Sequence, residues 1–333
     1  MMRKITLFEG DGIGPEITDA VLKILDELHL PLEFEKYDLG LTAFEKTGTL
    51  IPEDAIESLK RNQVALKGPC TTPIGHGFRS VNVQLRLLFD LYANIRPAQT
   101  LPNVKTRYEN VDLVVFRENT EDLYIGEETV ISVDEVHAIK MITRQASKRI
   151  IRAAFDYAVA QNRKRVTCVH KANILKKSDG LFLSVFEEIA KEYPQIASDS
   201  LIVDACCMNL VMHPERYDIL VMPNLYGDIV SDLCSGLIGG LGLLPSCNRN
   251  DEIAMFEAVH GSAPDIAGQN LANPTALLMS ACMMLDHLGY HSEADRVRHA
   301  VLDVLSHQEL CTKDLGGQAT CSQFAQSIIE HLK

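Results

Sequence analysis

The feature that most constrains the fold of this chain is a regular alternation of short apolar runs with longer amphipathic segments. Residues 4–8 form an apolar-rich run, residues 10–14 supply a glycine loop, and Pro15 suits the first turn of a helix. The apolar residues that follow recur at helical spacing: Ile17, Ala20, Val21, Ile24, Leu25 and Leu28. A buried strand, a tight loop and a helix with one apolar face are typical of the start of an α/β fold.

The same alternation continues along the 333 residues, a length that suits one large domain or two coupled ones. The predicted elements are strands at residues 111–116, 166–170 and 217–222, helices at residues 147–162 and from about residue 227, and a hairpin within residues 124–138. We find no internal repeat, low-complexity tract or long linker. Two domains are therefore expected to be closely coupled rather than joined by a tether.

Composition and charge exclude several classes of partner. The net charge of −13 disfavours nucleic acid and anionic membrane surfaces. The longest apolar run, residues 233–244, is interrupted by glycines and is shorter than the roughly 18 apolar residues of a membrane span. The first predicted strand leaves no room for a signal or transit peptide before it, so a cytoplasmic location is expected. Nine scattered cysteines without a C-x-x-C pattern indicate free thiols.

The glycine loop partly matches the dinucleotide-binding fingerprint G-x-G-x-x-G. Pro15 stands where the third glycine would be, and no acidic residue follows a matching second strand at a suitable distance. We therefore interpret the glycines as residues that permit a sharp turn, and we do not expect a Rossmann fold.

The strongest chemical feature is the sequence NLYGDIVSD at residues 224–232. Asp228 and Asp232 are four residues apart at a predicted helix start, so both carboxylates face the same way. Two like charges there destabilise the helix unless a cation or the helix N-terminus offsets them, and their oxygens suit Mg²⁺ or Mn²⁺. Asp204, near another predicted helix start, is a candidate third ligand. For the pair alone, a solvated acidic helix start is the alternative.

A second feature joins the sequence SVNVQLR at residues 80–86 to two later arginines. Ser80 is a candidate helix N-cap, and Asn82 and Arg86 would share a helix face. If Arg86 converges with Arg96 and Arg117, the three guanidinium groups can clamp a polycarboxylate. Taken singly, each arginine is more often a surface charge, so the interpretation requires the three to converge.

Two further segments carry polar residues at places where α/β proteins bind ligands. Arg117 and Lys171 each stand at the C-terminal end of a predicted strand, and Lys171 is a candidate base if burial and a metal lower its pKa. Residues 256–268 and 273–274 are small, polar and glycine-bearing, so their backbone can approach a ligand closely. Ordinary packing and ordinary turns are the alternatives.

Together, and in this order, these segments resemble the β-decarboxylating dehydrogenases, the family of isocitrate, isopropylmalate, homoisocitrate and tartrate dehydrogenases. The resemblance extends from GDGIGPE at residues 10–16 to KDLGG at residues 313–317. The sequences LYANIRP (91–97), VHKAN (169–173) and MPNLYGD (222–228) are similar almost letter for letter to the NAD-dependent isocitrate dehydrogenase branch.

The resemblance implies a doubly wound α/β fold of the isocitrate/isopropylmalate dehydrogenase type, which is not a Rossmann fold. It implies a large, nucleotide-binding domain of about 1–95 plus 239–333 and a small domain of about 96–238 with the metal site. A hairpin clasp near 122–143 would join two chains into a homodimer, or a larger oligomer, whose active sites are shared between chains.

The resemblance also implies roles for individual residues. Tyr124 and Lys171 would be catalytic. The substrate would be bound by Ser80, Asn82, Arg86, Arg96, Arg117 and Asn173. A Mg²⁺ or Mn²⁺ ion would be held by Asp228 and Asp232 together with Asp204 of the second chain. The catalytic Lys171 would also come from the second chain. NAD would be bound by Thr71, Thr72, Glu257, His260, Gly261, Ser262, Ala263, Asp265, Ile266, Asn273 and Asp314.

Two short segments bear on specificity. Ser80 and Asn82 are polar, which suits a third carboxylate and favours isocitrate over isopropylmalate. Homoisocitrate, one methylene longer, is the closer alternative. Asp265-Ile266 replaces the Lys-Tyr pair common in NADP-dependent relatives, and an aspartate repels a 2′-phosphate.

The expected reaction is oxidative decarboxylation of isocitrate to 2-oxoglutarate and carbon dioxide, with NAD as the acceptor. A non-catalytic regulatory subunit of a heteromeric enzyme is the alternative of another class. Regulatory chains of this family typically alter some catalytic positions, whereas this chain retains all five of them: Tyr124, Lys171, Asp204, Asp228 and Asp232.

Overall fold

The computed structural model describes residues 2–71 and 79–332. Its strands are β1 (Arg3–Phe8), β2 (Leu32–Tyr37), β3 (Val64–Lys67), β4 (Ala93–Gln99), β5 (Asp112–Glu118), β6 (Glu128–Ser132), β7 (Glu135–Ala138), β8 (Arg165–His170), β9 (Ala197–Ile202), β10 (Ile219–Met222), β11 (Pro245–Arg249) and β12 (Ala254–Ala258). Its helices are α1 (Gly14–Asp26), α2 (Leu41–Thr47), α3 (Glu53–Asn62), α4 (Val81–Leu88), α5 (Arg144–Ala160), α6 (Ser178–Ala190), α7 (Val203–Met212), α8 (Asn224–Leu237), α9 (Thr275–His287), α10 (His291–Leu305) and α11 (Cys321–Leu332).

The chain divides into two compact units. Unit 1 consists of Met1–Leu85, Thr100–Arg107 and Ile238–Lys333, and unit 2 consists of Arg86–Gln99 and Tyr108–Leu237. Unit 1 is therefore assembled from both ends of the chain, whereas most of unit 2 comes from the middle.

Unit 1 is built on strands in the order β2-β1-β3-β12-β11. The first four run parallel, and β11 pairs antiparallel with β12. Helices α9, α10 and α11 pack together and α1 contacts α9 and α11, so the apolar faces of these helices are covered. Ile17, Val21 and Ile24 of α1 are fully buried, which accounts for the helical spacing of apolar residues after Pro15.

Unit 2 has a matching arrangement, with strands in the order β4-β5-β10-β8-β9. Strands β5, β10, β8 and β9 run parallel, and β4 pairs antiparallel with β5. All four residues of β10 are buried, as expected for a central parallel strand. Helices α5 and α8 pack against β5, and this places α8 beside the C-terminal end of that strand.

Several predicted boundaries were wrong by a few residues. Helix α5 begins at Arg144 rather than at 147, because the hydroxyl of Thr143 accepts from the backbone N–H of Ala146 and caps it. The strand predicted at 217–222 covers only Ile219–Met222, since the chain first makes a 3₁₀ turn at Pro214–Arg216. The predicted hairpin is present as β6 and β7, and every residue of both strands is exposed.

Among the described residues, no helix combines the length and the apolar character that crossing a membrane requires.

Candidate active site

Helix α8 carries the two carboxylates predicted to bind a metal. It begins at Asn224, three residues earlier than predicted, because the carbonyl of Pro223 accepts from the N–H of Gly227 at 2.9 Å and closes the first turn. Asp228 and Asp232 lie one turn apart, and their side chains are 42% and 57% exposed. Both carboxylates therefore remain accessible to a ligand from the solvent side of the helix.

Arg117, near the end of β5, is directed at this helix and is 1% exposed. Its Nη1 donates to Oδ1 of Asp228, and its Nε donates to Oδ1 of Asn224 at 2.9 Å. Tyr124 donates its hydroxyl to the other oxygen of Asp228 at 2.5 Å. The Nη2 of Arg117 is buried and has no hydrogen-bond partner among the described residues, so one donor of this guanidinium is available to an anion.

A glycine on α8 makes this contact possible. A Cβ atom added to Gly227 would lie 2.4 Å from Cγ and 2.5 Å from Cβ of Arg117. The aliphatic part of Arg117 thus passes directly over the helix backbone, and any side chain at position 227 would displace it.

Two more arginines converge on the same place. Arg96 on β4 is 5% exposed and donates from Nε to Asn94 at 2.7 Å and from Nη1 to Ser231 at 2.6 Å. Burial lowers the pKa of Arg96 to about 9, and the nearby charges of Arg117 and Arg86 contribute to this lowering. Three guanidinium groups this close repel one another, which favours the binding of an anion among them.

The two aspartates of α8 differ in their electrostatics. Burial by itself raises the pKa of Asp228, but Arg117 and the Tyr124 hydroxyl outweigh it, so this pKa lies below its usual value. Burial raises the pKa of Asp232, and the neighbouring Asp228 raises it further although Arg96 opposes both. For Tyr124, burial and then its hydrogen bond to Asp228 raise the pKa of the phenol.

Lys171 and Asp204 form a separate pair within unit 2. Lys171 follows β8, Asp204 lies in the first turn of α7, and the Lys171 ammonium contacts the Asp204 carboxylate. Asp204 is 68% exposed, and Lys171 lowers the pKa of Asp204 through their hydrogen bond. Within residues 2–71 and 79–332, no three His, Cys, Asp or Glu side chains come together as a metal cluster, so Asp204 does not join Asp228 and Asp232 in one chain.

The backbone of Lys171 is held by a buried charge cluster that the sequence did not indicate. Asp179 of α6 is fully buried and accepts from the N–H of Lys171 at 2.7 Å. The ammonium of Lys140 lies 2.9 Å from Oδ1 of Asp179 and 3.5 Å from Oδ1 of Asp122, which is also fully buried. Lys140 additionally lies 4.2 Å from the centre of the Tyr226 ring.

The residues predicted to bind a nucleotide lie in unit 1. The hydroxyls of Thr71 and Ser262 are 2.6 Å apart, and Asn273 donates to Asp314 at 2.9 Å. Glu257 on β12 is buried and pairs at 2.5 Å with the buried Lys67. The remaining predicted nucleotide residues lie in the turn that follows β12: His260, Gly261, Ala263, Asp265 and Ile266. Thr72 lies outside the described residues.

Within this turn, His260 and Asp265 have different environments. The Nε2 atom of His260 is buried without a hydrogen-bond partner among the described residues, and burial lowers the pKa of this histidine. Asp265 is exposed, so its carboxylate can reach a ligand without moving buried atoms. The turn therefore offers one buried polar atom and one exposed carboxylate to a ligand.

The other predicted substrate residues are placed as follows. Ser80 immediately precedes α4, in the position of an N-cap, and is exposed. Asn82 lies in the first turn of that helix, and its Oδ1 is buried without a partner among the described residues. Arg86 is buried near the end of the helix, and Asn173 is exposed in the turn after β8.

Comparison with known proteins places this arrangement in a class of enzymes. The family model for isocitrate/isopropylmalate dehydrogenase matches residues 4–328. The chain is 51% identical to the NAD isocitrate dehydrogenase catalytic subunit 5 of Arabidopsis thaliana mitochondria, over 98% of this chain and 88% of that one. It is 50% identical to one of the regulatory chains of mitochondrial NAD isocitrate dehydrogenase in Dictyostelium discoideum, over 99% and 92%.

Two further comparisons extend the range of relatives. A chloroplastic 3-isopropylmalate dehydrogenase of Solanum tuberosum is 52% identical over 91% of this chain and 85% of that one. A crystal structure of isocitrate dehydrogenase from Methylococcus capsulatus superposes with a TM-score of 0.96 at 50% identity, covering 99% of both chains.

The chain is thus an α/β oxidoreductase of the two-unit, non-Rossmann type. It belongs to the isocitrate/isopropylmalate dehydrogenase family. The resemblance drawn from the sequence motifs and the predicted fold class are both confirmed.

Proposed function

We propose that this chain is a catalytic, NAD-dependent isocitrate dehydrogenase that converts isocitrate to 2-oxoglutarate and carbon dioxide. The observation that carries this proposal is the convergence, in unit 2, of three buried arginines beside the two aspartates of α8. Such a site offers positive charge to a polycarboxylate and oxygen ligands to a cation within one region.

Arg117 would bind a substrate carboxylate through the Nη2 that has no partner among the described residues. Arg96 is oriented by Asn94 and Ser231, so it needs little rearrangement to bind a second carboxylate. Because the protein as a whole is strongly acidic, this local positive charge is what would attract an anionic substrate. Ser80 and Asn82, at the start of α4, would recognise the third carboxylate.

The donor set of α8 fits a divalent cation such as Mg²⁺ or Mn²⁺. Asp228 and Asp232 present hard oxygen ligands on one helix face, and both are partly exposed. When bound, such a cation polarises the C2 oxygen of the substrate and stabilises the charge that develops there, which is worth several kcal/mol. Arg117 and Tyr124 now contact Asp228, and they would turn toward the substrate when Asp228 takes a cation instead.

Lys171 would take the proton of the C2 hydroxyl while the C2 hydrogen leaves as hydride to the nicotinamide of NAD. The bond between C3 and its carboxylate would then break, so that carbon dioxide leaves and the electron pair of this bond forms the enolate of C2 and C3. Tyr124 would donate the proton that converts this enolate to 2-oxoglutarate, and its hydroxyl already points at Asp228. Thr71, Ser262, Asn273 and the exposed Asp265 of unit 1 would bind the nucleotide.

The pairing of Lys171 with Asp204, and not with Asp228, supports a site completed by a second chain. We propose that one chain supplies Arg117, Tyr124 and the α8 aspartates, and the second supplies Lys171 and Asp204. A dimer of identical chains is the simplest assembly that satisfies this requirement.

Two other functions have to be distinguished from this one, because relatives that carry their names are about as similar to this chain. The regulatory relative is 50% identical, so overall similarity does not separate catalytic from regulatory chains. The isopropylmalate relative is 52% identical, so the substrate must be decided by individual side chains. The polar pair Ser80 and Asn82 favours isocitrate, and homoisocitrate remains the nearest alternative.

The test is formation of NADH or NADPH, followed at 340 nm with Mg²⁺ or Mn²⁺, using isocitrate, homoisocitrate and isopropylmalate in parallel, each with NAD and with NADP. Activity confined to isocitrate and NAD is the expected result. Preference for homoisocitrate or isopropylmalate would overturn the substrate assignment and leave the site chemistry intact. No activity with any combination of substrate and nucleotide would favour a regulatory chain. Calorimetry would then show whether this inactive chain still binds isocitrate.

A further inference from the structure

The segment at residues 9–16, which consists of the loop after β1 and the first turn of α1, has no role in the function proposed above. Its glycines were interpreted from the sequence as permitting a sharp turn. The structure adds that its polar groups contact four other segments of unit 1, namely residues 41–42, 69–71, 262 and 270–272.

Asp11 is the centre of these contacts. Its side chain is 5% exposed, and Oδ2 accepts from the backbone N–H groups of Leu41 at 3.0 Å and Thr71 at 2.7 Å. Oδ1 accepts from the backbone N–H and the hydroxyl of Thr42, at 2.8 and 2.7 Å. A buried carboxylate with four donors is well satisfied, and hydrogen bonds to a charged acceptor are stronger than neutral ones.

The backbone of the segment makes the remaining contacts. The N–H of Asp11 donates to the carbonyl of Pro69 at 2.7 Å, and the N–H of Ile13 donates to the carbonyl of Ser262 at 2.8 Å. Cβ atoms added to Gly10 and Gly12 would each lie 2.0 Å from the same two carbonyl oxygens. These glycines therefore allow direct backbone contact with the two segments, and no other residue fits.

Glu16, in the first turn of α1, contacts a third segment. Its two carboxylate oxygens accept from the backbone N–H groups of Asn270 at 3.2 Å and Ala272 at 3.1 Å. Asn273, the next residue, is one of the candidate nucleotide ligands. Residues 41–42 begin α2, whereas the other three contacted segments lack regular secondary structure and so have no ladder of their own to fix their positions.

We propose that residues 10–16 set the relative positions of the three loops that bind the nucleotide, with Asp11 as the main positioning residue and Glu16 as the second. Thr71, Ser262 and Asn273 come from distant parts of the chain, and this segment is in contact with each of their loops. The inference rests on the proposed function, because it requires unit 1 to bind NAD.

The experiment compares Asp11→Asn with Asp19→Asn. Both replace a carboxylate by an amide, but Asp19 is exposed on α1 and, among the described residues, pairs with Lys23 at 2.6 Å. The amide at position 11 would turn a donor toward the N–H groups of Leu41 and Thr71 or those of Thr42. We expect the Kd for NADH, followed by its fluorescence, to rise roughly tenfold or more in Asp11→Asn and to stay unchanged in Asp19→Asn.

The control measurement is the affinity for isocitrate with Mn²⁺, determined by calorimetry. A general loss of structure would weaken isocitrate binding as well as NADH binding. We expect the affinity for isocitrate to change less than about twofold in Asp11→Asn, because the arginines and α8 lie in unit 2. Equal weakening of NADH and isocitrate binding would overturn the proposal, as would NADH binding equal to that of Asp19→Asn. If Asp11→Asn does not fold, NADH and isocitrate binding are compared between Glu16→Gln and Asp19→Asn instead. The Glu16→Gln variant tests the contact of Glu16 with the loop at 270–272.

Failure of this inference is distinguishable from failure of the proposed function. A wild-type protein that binds no NADH would contradict the assignment of the nucleotide. A wild-type protein that binds NADH, with an Asp11→Asn variant that binds it equally, would contradict only the positioning role.

Discussion

The side chain of Asn224 fixes the direction of Arg117. Its Oδ1 accepts from Nε of Arg117 at 2.9 Å, while its Nδ2 donates to the carbonyl of Glu121 at 3.0 Å. Asn224 is fully buried and Arg117 is 1% exposed, so neither group can exchange this contact for water. The first residue of α8 thus joins the arginine of β5 to the chain segment that leads to Tyr124.

Replacement of Asn224 by alanine is expected to weaken substrate binding more than nucleotide binding. Removing the acceptor leaves a buried guanidinium donor unsatisfied, which costs about 1–3 kcal/mol, and KM for isocitrate should rise about 10- to 100-fold. Steady-state kinetics and NADH titration measure the two effects. Ser235→Ala is the control, because Ser235 lies on the same helix and its hydroxyl donates to the carbonyl of Asp232. An unchanged KM in Asn224→Ala would show that Arg117 does not need this partner.

The glycines of α8 supply a matched pair of substitutions. Gly227→Ala forces a methyl group against the Arg117 side chain, with a cost of about 1–3 kcal/mol from overpacking, and should lower both Tm and activity. The Cβ of Gly236→Ala would have no atom of the described residues within 4 Å outside its own part of the helix, so this variant should raise stability by up to about 0.5–1 kcal/mol through helix propensity. Thermal unfolding distinguishes the two variants. Equal effects at both positions would contradict the close contact between Arg117 and Gly227.

A shared active site predicts complementation between inactive chains. Lys171→Ala and Tyr124→Phe homodimers should each lose most activity, because every site lacks one group. Hybrid dimers, isolated by two different affinity tags, should recover about half of wild-type activity, since one of their two sites is then complete. The measurement is NADH formation per dimer. A hybrid as inactive as its parents would show that Lys171 and Tyr124 serve a site within one chain.

The carboxylate of Glu35 in unit 1 is predicted to stabilise the fold at neutral pH and to lose this effect in acid. A hydrogen bond from Lys4, with others from Asn62 and Arg61, lowers the pKa of Glu35 to about 2 from an ordinary value of 4.5. The stabilisation is therefore fully present above about pH 4.5 and is lost as the pH falls toward 2. Glu35→Gln should be less stable than wild type at pH 7 in urea unfolding, and the difference should be clearly smaller at about pH 3.

The size of this effect should be modest, because Lys4 and Arg61 are about half exposed and solvent screens their charges. Glu33→Gln is the control, since Glu33 is on the same strand but its Oε1 lies 3.7 Å from Nζ of Lys4, and its side chain is 45% exposed against 17% for Glu35. A difference between Glu35→Gln and wild type that does not shrink in acid would point to packing rather than to charge.

Much of this architecture could be predicted from the sequence because it depends on local patterns. The apolar spacing after Pro15 and the continuous apolar character of β10 give the correct element types. The i, i+4 spacing of Asp228 and Asp232 places both on one helix face. Boundaries were less accurate, because a cap such as Thr143 depends on a single hydrogen bond.

The partners that orient the site could not be predicted in the same way. Lys67 and Glu257 are 190 residues apart in sequence, and neither carries a local signal for the other. Asn224 and Ser231 lie within a motif whose carboxylates were the only groups with an evident chemical role. The part that these two residues play in holding Arg117 and Arg96 becomes visible only when β4, β5 and α8 are placed side by side.

The lysine shared by Asp122 and Asp179 restricts the order in which this region can change in sequence. Loss of the Lys140 cation removes a counter-charge that two buried carboxylates share, which is among the most costly single changes a protein interior can undergo. If one carboxylate is lost first, one cation and one carboxylate remain, and the cluster is electrically neutral. The later loss of the second carboxylate is then the costly step, because it leaves the Lys140 cation without its partner. Positions 122, 140 and 179 are thus expected to show strong epistasis, with the tolerated path set by which charge is lost first.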